Sequence, residues 1–346
     1  MWVYPVYFLD LAAMIFLSFF LGNLVDLLDK KTKISGAFIG GVLLAAVTSL
    51  PELFTALSSI FLVNEPEYVV GDILGSIVFD LVCLALETFI FIKNFRNAKI
   101  EKFHLLNALF CLIMYAMAAY AFFAPVNYQV MLGDINLMSI LIFILYIVSL
   151  WLQPKESEAS SDETVDCKWS LKTIIILFVV SAILLIGSSI ALTYLTKEIQ
   201  KLVPALSGSV VGALLLGVGT SIPEIVSTFQ LFKKKNYNAG VGNMIGSCTF
   251  DFAIFAIADF CSWRSVNNTK NDAGEYIISQ RGLFILDNDS RNFEIFGAAV
   301  CFLVITFLSF KVFTKLFEKN KVFSYISSAI VGLGSLAMYI TIFFLK

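Results

Sequence analysis

Long apolar runs separated by short polar connections recur along the whole chain. A bilayer's hydrocarbon core is crossed by roughly 20 apolar residues in a helix. Runs of that kind fall at 4–28, 34–62, 69–92, 103–124, 130–152, 171–196, 203–232, 238–263, 294–317 and 322–345. The pattern predicts an all-α polytopic membrane protein of about ten transmembrane helices.

Polar residues that interrupt two of these runs are not scattered. Thr48-Ser49-Leu50-Pro51-Glu52 in the second run recurs as Thr220-Ser221-Ile222-Pro223-Glu224 in the seventh. Each is followed by a second matching piece: Gly71-Asp72-Ile73-Leu74-Gly75-Ser76 with Asp80, and Gly242-Asn243-Met244-Ile245-Gly246-Ser247 with Asp251. Pro51 to Pro223 is 172 residues and Gly75 to Gly246 is 171, a one-residue slip that a loop absorbs. The chain therefore reads as an internal duplication. Its N-terminal five-helix repeat spans 1–152, with its motif at 40–80, and its C-terminal repeat spans 171–346, with its motif at 212–251. Between them, 153–170 is polar and acidic, as a flexible linker would be. A second polar stretch, 264–293, is long enough to hold short structure of its own.

Composition supports the membrane reading: 59% of residues are hydrophobic and 14% charged. The first run carries Asp10 and Asp26 and no small-residue cleavage site, so a retained helix is expected there rather than a signal peptide. Charge then orients the chain. Lys30, Lys31 and Lys33, then Lys93, Arg96, Lys99 and Lys102, then Lys155, Lys168 and Lys172 fall in alternate connections. Lys233, Lys234 and Lys235, then Lys311, Lys315, Lys319 and Lys321, continue the series. That side is predicted to be cytoplasmic, which places both termini outside the cell membrane and makes 264–293 an external loop. Five spans separate the two motifs, an odd number, so the halves must be inverted repeats.

Each motif puts a helix break and an acid at membrane depth. Proline removes its own amide hydrogen and clashes with the carbonyl four residues back, here that of Val47 or Gly219. Helices 2 and 7 are thus expected to be broken, with backbone oxygens freed near Thr48 and Thr220. Irregular backbone at that depth is tolerated only where it lines a cavity. Beside each break stand Glu52 or Glu224 and the hydroxyls of Thr48, Ser49, Thr220 and Ser221. The next helix adds Ser76 and Asp80, or Ser247 and Asp251, each pair four apart and so on one face. Carboxylate, hydroxyl and carbonyl oxygens are the ligands of hard cations such as calcium and sodium. With one His and no paired Cys motif, zinc and copper are not expected. Nor is there a nucleic-acid signature. Four acids in one dry pocket cannot all stay ionised unless cations or protons compensate them.

The paired Thr-Ser-x-Pro-Glu pieces and the Gly-x-x-x-Gly-Ser pieces, in an inverted five-plus-five arrangement, resemble the two alpha-repeats of the cation/calcium antiporter superfamily, closest to the sodium/calcium exchanger branch. The resemblance implies a secondary antiporter, not an enzyme. It needs no cofactor and no obligatory protein partner, its substrates are calcium and sodium ions, and it works by alternating access in membrane lipid. It further implies calcium held by Glu52, Glu224 and the backbone oxygens of Thr48 and Thr220. Sodium would be helped by Ser49, Ser76, Ser221 and Ser247, and Asp80 and Asp251 would complete the central site. The chain departs from the family pattern at Asp72 and Asp80, where Asn is usual, at Val47 for glycine and at Cys248 for Asn.

Two alternatives stand beside this reading. A proton/calcium exchanger of the same superfamily would need fewer hydroxyl sites, and an intramembrane aspartyl protease would use paired acids to activate water. Several residues carry plainer expectations. Ser76 and Ser247 can back-bond to their own helices. Asp72, near a predicted helix end, is expected to face water, Asp10 and Asp26 to lie at the interface and His104 to sit solvated in a loop. The cysteines in spans are read as small apolar residues. Gly71, Gly75, Gly242 and Gly246 are expected to bring their helix close to the broken one.

Overall fold

The computed structural model describes residues 2–31, 45–133, 135–152, 169–266, 282–285 and 288–343. The first half comprises α1 (Val3–Lys31), α2 in two pieces (Ala45–Thr48 and Leu50–Phe61), α3 (Pro66–Ile90), α4 (Lys102–Phe123) and α5 (Leu137–Trp151). In the second half, α6 (Leu171–Leu202) precedes α7, itself in two pieces (Gly208–Thr220 and Ile222–Lys233). It continues with α8 (Tyr237–Val266), α9 (Asn288–Phe313) and α10 (Lys321–Ile342). Among the described residues, 7 helices are long and apolar enough to cross a membrane alone, and the bent α7 pair makes an eighth. The described part of α2 and all of α5 are shorter apolar helices. The beginning of the second predicted span, the start of the first motif before 45, most of the 153–170 linker and most of the 264–293 stretch lie outside the described residues.

Polar caps mark where several helices begin. Asn136, Ser170, Ser207 and Asn320 each accept a hydrogen bond from a first-turn backbone N–H of α5, α6, α7 and α10, at 2.9, 3.1, 3.3 and 3.0 Å. These side chains satisfy donors that a helix start otherwise leaves open. The Asn136 cap corrects one predicted boundary. The fifth span was expected from 130, but Met131–Leu132 pairs antiparallel with Ile135–Asn136, and the helix starts only at Leu137. Gly133, at φ +66, makes the turn that ends the earlier run. α6 runs six residues past its predicted end, tied down by Lys197, which pairs with Glu65 at 3.0 Å.

Burial sorts the helices. In α3 89% of the apolar window is buried, and in α8 72%, against 22% in both α1 and α6. α3 and α8 therefore form the centre, while α1 and α6 pack on each other at the edge and turn Phe8, Leu9, Ile183 and Leu184 outward. Such faces suit lipid. α9 packs on α3 and α4, and α10 on α3. Cys111, Cys248 and Cys301 are buried and unpaired, as expected of small apolar side chains, while Cys167 lies outside the described residues.

Lipid gives helices no hydrophobic reason to associate, so close contact depends on small residues. α3 meets the first piece of α7 almost backbone to backbone. A methyl group added at Gly71 would lie 2.0 Å from the Ser209 carbonyl oxygen, and one at Gly75 2.7 Å from Ala213 Cβ. From the other side, one at Gly212 would lie 2.6 Å from the Tyr68 oxygen. Gly71 and Gly75 thus approach a broken helix as expected, but the broken helix is that of the other half. Gly242 does something else: it leaves a slot for the His104 ring, whose Cε1 an added methyl would meet at 2.5 Å. That corrects the reading of His104 as a solvated loop residue. It stands on α4, half-buried against α8, with Nε2 3.0 Å from Asn238 Oδ1.

Candidate functional site

Both predicted breaks are present. α2 is interrupted at Ser49 and α7 at Ser221, each followed by a helix with proline in its first two positions. The two pieces of α7 meet at 40°. Glu52 and Glu224 fall in the first turn after the break, where the open N–H groups and helix dipole favour an anion. One feature of α7 had no signal in the sequence: Gly212–Gly217 winds as a π-helix. Widened turns of this kind shift the side chains that follow and recur at functional sites.

The breaks face each other across the α3–α8 centre. Ser49 Oγ lies 3.0 Å from Glu224 Oε1 and 2.6 Å from Ser247 Oγ, and Ser247 Oγ lies 3.4 Å from the same carboxylate oxygen. Thr48 also reaches that carboxylate. A second group joins α3 to α7: Ser76 Oγ donates to the Gly217 carbonyl at 3.1 Å and sits 3.5 Å from Thr220 Oγ1. Neither Ser76 nor Ser247 makes the back-bond to its own helix that would have made it merely structural. The halves are not used identically, because the Ser221 hydroxyl, unlike that of Ser49, hydrogen-bonds to no glutamate and lies beside Asp80 instead.

Thr48, Ser49, Glu52, Ser76, Asp80, Thr220, Ser221, Glu224, Ser247 and Asp251 are all at most 1% exposed. Yet Oε2 of Glu52, Oε2 of Glu224 and both carboxylate oxygens of Asp80 and Asp251 have no hydrogen-bond partner. A buried polar atom left unpaired costs about 1–3 kcal/mol, and more if charged. Among the described residues the ion pairs are Lys197–Glu65 and Lys201–Glu198 at the end of α6, so no basic side chain neutralises the central acids. A cation or protons must do so. Among the described residues no three His, Cys, Asp or Glu side chains cluster tightly enough to hold a metal ion alone. Any bound ion must therefore draw on hydroxyl and backbone oxygens as well, which suits the six to eight oxygen ligands that calcium takes.

Asp72 overturns its expectation. The α3 helix starts at Pro66 rather than 69, so Asp72 lies a full turn inside it and is 0% exposed rather than water-facing. It accepts hydrogen bonds from Thr55 and, at 3.2 Å, from Thr220. Asp10 is half-buried and takes a hydrogen bond from Ser188 of α6. Glu87 and Glu294, which the motif reading passed over, are buried with both carboxylate oxygens unpartnered. Glu87 had a signal: it follows Asp80 by seven residues, two turns along the same face of α3. Asp259 was passed over too. It is satisfied by Ser139 Oγ at 2.7 Å and by the backbone N–H groups of Asn136 and Leu283 at 3.1 and 3.0 Å, and so pins the short helix Gly282–Ile285 to α5 and α8.

The sequence model of the sodium/calcium exchanger protein family matches residues 3–154 and again 173–346, one match for each half. No curated protein matches the chain by sequence. Among solved structures, the sodium-calcium exchanger NCX_Mj is similar, with TM-score 0.60 and 19% identity over 98% of this chain and 97% of that one. The H+/Ca2+ exchanger CAX is similar with TM-score 0.64 and 15% identity over 98% and 88%. Native YfkE gives TM-score 0.61 and 16% identity over 99% and 92%. At these identities the likeness shows a shared fold.

Proposed function

The chain belongs to the sodium/calcium exchanger family, and from that premise we propose that it is a secondary antiporter exchanging calcium for sodium across the cell membrane by alternating access. One observation carries the reading. Two helix breaks meet at buried carboxylates whose free oxygens have no protein partner and no basic neighbour among the described residues. Glu52 and Glu224, with the backbone oxygens of Thr48 and Thr220, hold calcium; Ser49, Ser76, Ser221 and Ser247 help hold sodium; Asp80 and Asp251 complete the centre. One divalent ion or several monovalent ions can neutralise this set, but not both at once, so occupancy is exclusive and the exchange is coupled. Family membership removes the intramembrane protease alternative. The lysine-rich connections orient both termini outward.

Calcium uptake into proteoliposomes, driven separately by sodium and pH gradients, is the direct test. Uptake driven by an outward sodium gradient with no pH gradient is the expected result. Uptake that follows only the pH gradient would replace sodium by the proton, the reading that the extra carboxylate at Asp80 favours. Within the sodium reading, Ser76→Ala and Ser247→Ala are expected to raise the sodium concentration for half-maximal flux severalfold while changing calcium binding less than twofold. A hydroxyl is a larger share of a monovalent ion's weaker shell. Unchanged sodium dependence in both variants would remove these serines from the site.

Asp80→Asn restores the residue usual at this position in the family. Calcium transport is expected to persist, with less inhibition by external acid, because one fewer carboxylate competes for protons. Flux measured across a pH series decides this: loss of transport at every pH makes Asp80 an essential ligand instead.

A further inference from the structure

We propose that Asp72 is a specificity-determining residue, a fifth carboxylate that biases the ion site toward doubly charged cations while bridging both broken helices. The inference rests on the cation-site reading above and adds a residue that stands outside the proposed ligand set. One oxygen of Asp72 is held by Thr55, on the second piece of α2, and the other by Thr220, on the first piece of α7. The carboxylate therefore joins the two repeats at the point where α3 presses on α7 through Gly71 and Gly75. Hydroxyls, one to each oxygen, can serve an ionised carboxylate, and each also has a carbonyl of its own helix as a neighbour, Pro51 for Thr55 at 2.9 Å and Leu216 for Thr220 at 3.0 Å.

The second half has the same seat with different chemistry. Asn243 stands where Asp72 does, 171 residues on, and Ser227 where Thr55 does, 172 on. Asn243 Nδ2 lies 3.0 Å from both Ser227 Oγ and Thr228 Oγ1, within its own half, and its Oδ1 has no partner. A neutral amide thus suffices to hold a helix pair together at this place. The carboxylate at Asp72 adds something an amide cannot: a negative charge within electrostatic reach of Glu52 and Asp251, hydrogen-bonded directly to Thr220.

The consequence is specific. In a buried site with little screening, a nearby charge attracts a cation in proportion to that cation's own charge. Removing it weakens calcium by the square of the factor by which it weakens a single sodium ion at the same distance. A role in shape alone predicts no such relation, since Asn keeps the shape.

Calcium and sodium half-saturation should be measured on the purified full-length chain carrying Asp72→Asn and, separately, Asn243→Asp. For Asp72→Asn, sodium affinity is expected to fall on the order of tenfold and calcium affinity on the order of a hundredfold. Asn243→Asp keeps the same two hydroxyl neighbours, which accept from Asn243 Nδ2 and can turn to donate to a carboxylate, and should strengthen both ions in the same squared relation. It decides the question alone if the first variant does not reach the membrane. Unchanged calcium affinity, or equal shifts for the two ions, overturns the proposal. Glu52→Gln run in parallel separates the two levels. Normal calcium binding there means the ion site itself is misplaced, whereas its loss alongside equal shifts in Asp72→Asn removes only the role of Asp72.

Discussion

Glu52→Gln and Glu224→Gln are each expected to abolish calcium exchange in a protein that still folds and inserts. Glutamine keeps the shape of the side chain, so the Ser49 and Ser247 contacts to position 224 can persist on the amide oxygen. What disappears is a negative charge that no basic residue offsets among the described residues. Deleting one member of a buried ion pair costs about 3–5 kcal/mol, a factor of roughly a hundred to a few thousand in affinity. Without calcium the same change relieves charge crowding, so each variant should unfold no earlier than the parent. Calcium should then separate them. A ligand at a hundred times its dissociation constant stabilises a protein by about 2.7 kcal/mol, and that thermal shift should be present in the parent and missing in both variants. Normal transport, or a full calcium-induced shift, in either one would sink the assignment of the site.

Much of this site was legible in the sequence because duplication did the work of comparison. Thr48 to Glu52 and Thr220 to Glu224 identify each other, and proline beside an acid within an apolar run has few structural explanations. The breaks at Ser49 and Ser221 and the burial of all ten candidate residues followed. Periodicity could not say which helix each face meets. Gly71 and Gly75 announce a close approach, but nothing along the chain names Ser209 and Ala213 of the other half as the surface approached. Asp72 was misjudged through a three-residue error in the start of α3, where Asn64 at φ 56 and Pro66 turn the chain early. The π-helical winding of Gly212–Gly217 carries no local sequence rule. Its immediate correlate is a tertiary contact: the Gly217 carbonyl, which accepts from Ser221 N–H one turn on at 3.2 Å, also accepts from Ser76 Oγ of the other half at 3.1 Å.

The contact between α3 and α7 makes the last prediction, that one methyl group at Gly71 stops transport. Gly71→Ala would place Cβ 2.0 Å from the Ser209 oxygen, 2.7 Å from its carbonyl carbon and 2.8 Å from its Cα. These are backbone atoms of a helix, which cannot swing aside as a side chain can. Either α3 and α7 separate or the variant folds poorly. Overpacking of this kind costs about 1–3 kcal/mol. Separation also breaks what the contact supports: Ser76 Oγ to Gly217, Thr220 Oγ1 to Asp72 and the facing of the two breaks across α3. The effect on function should therefore exceed the effect on stability. Calcium flux is expected to fall at least tenfold in protein that remains folded by thermal unfolding in detergent. Gly334→Ala is the control, since an added methyl there meets nothing within 4 Å, and its flux and stability should match the parent. Parent-like flux and stability in Gly71→Ala would mean that the two helices do not pack this closely in the working protein. The route by which the first half holds the second half's proposed ion ligands would then have to be drawn elsewhere.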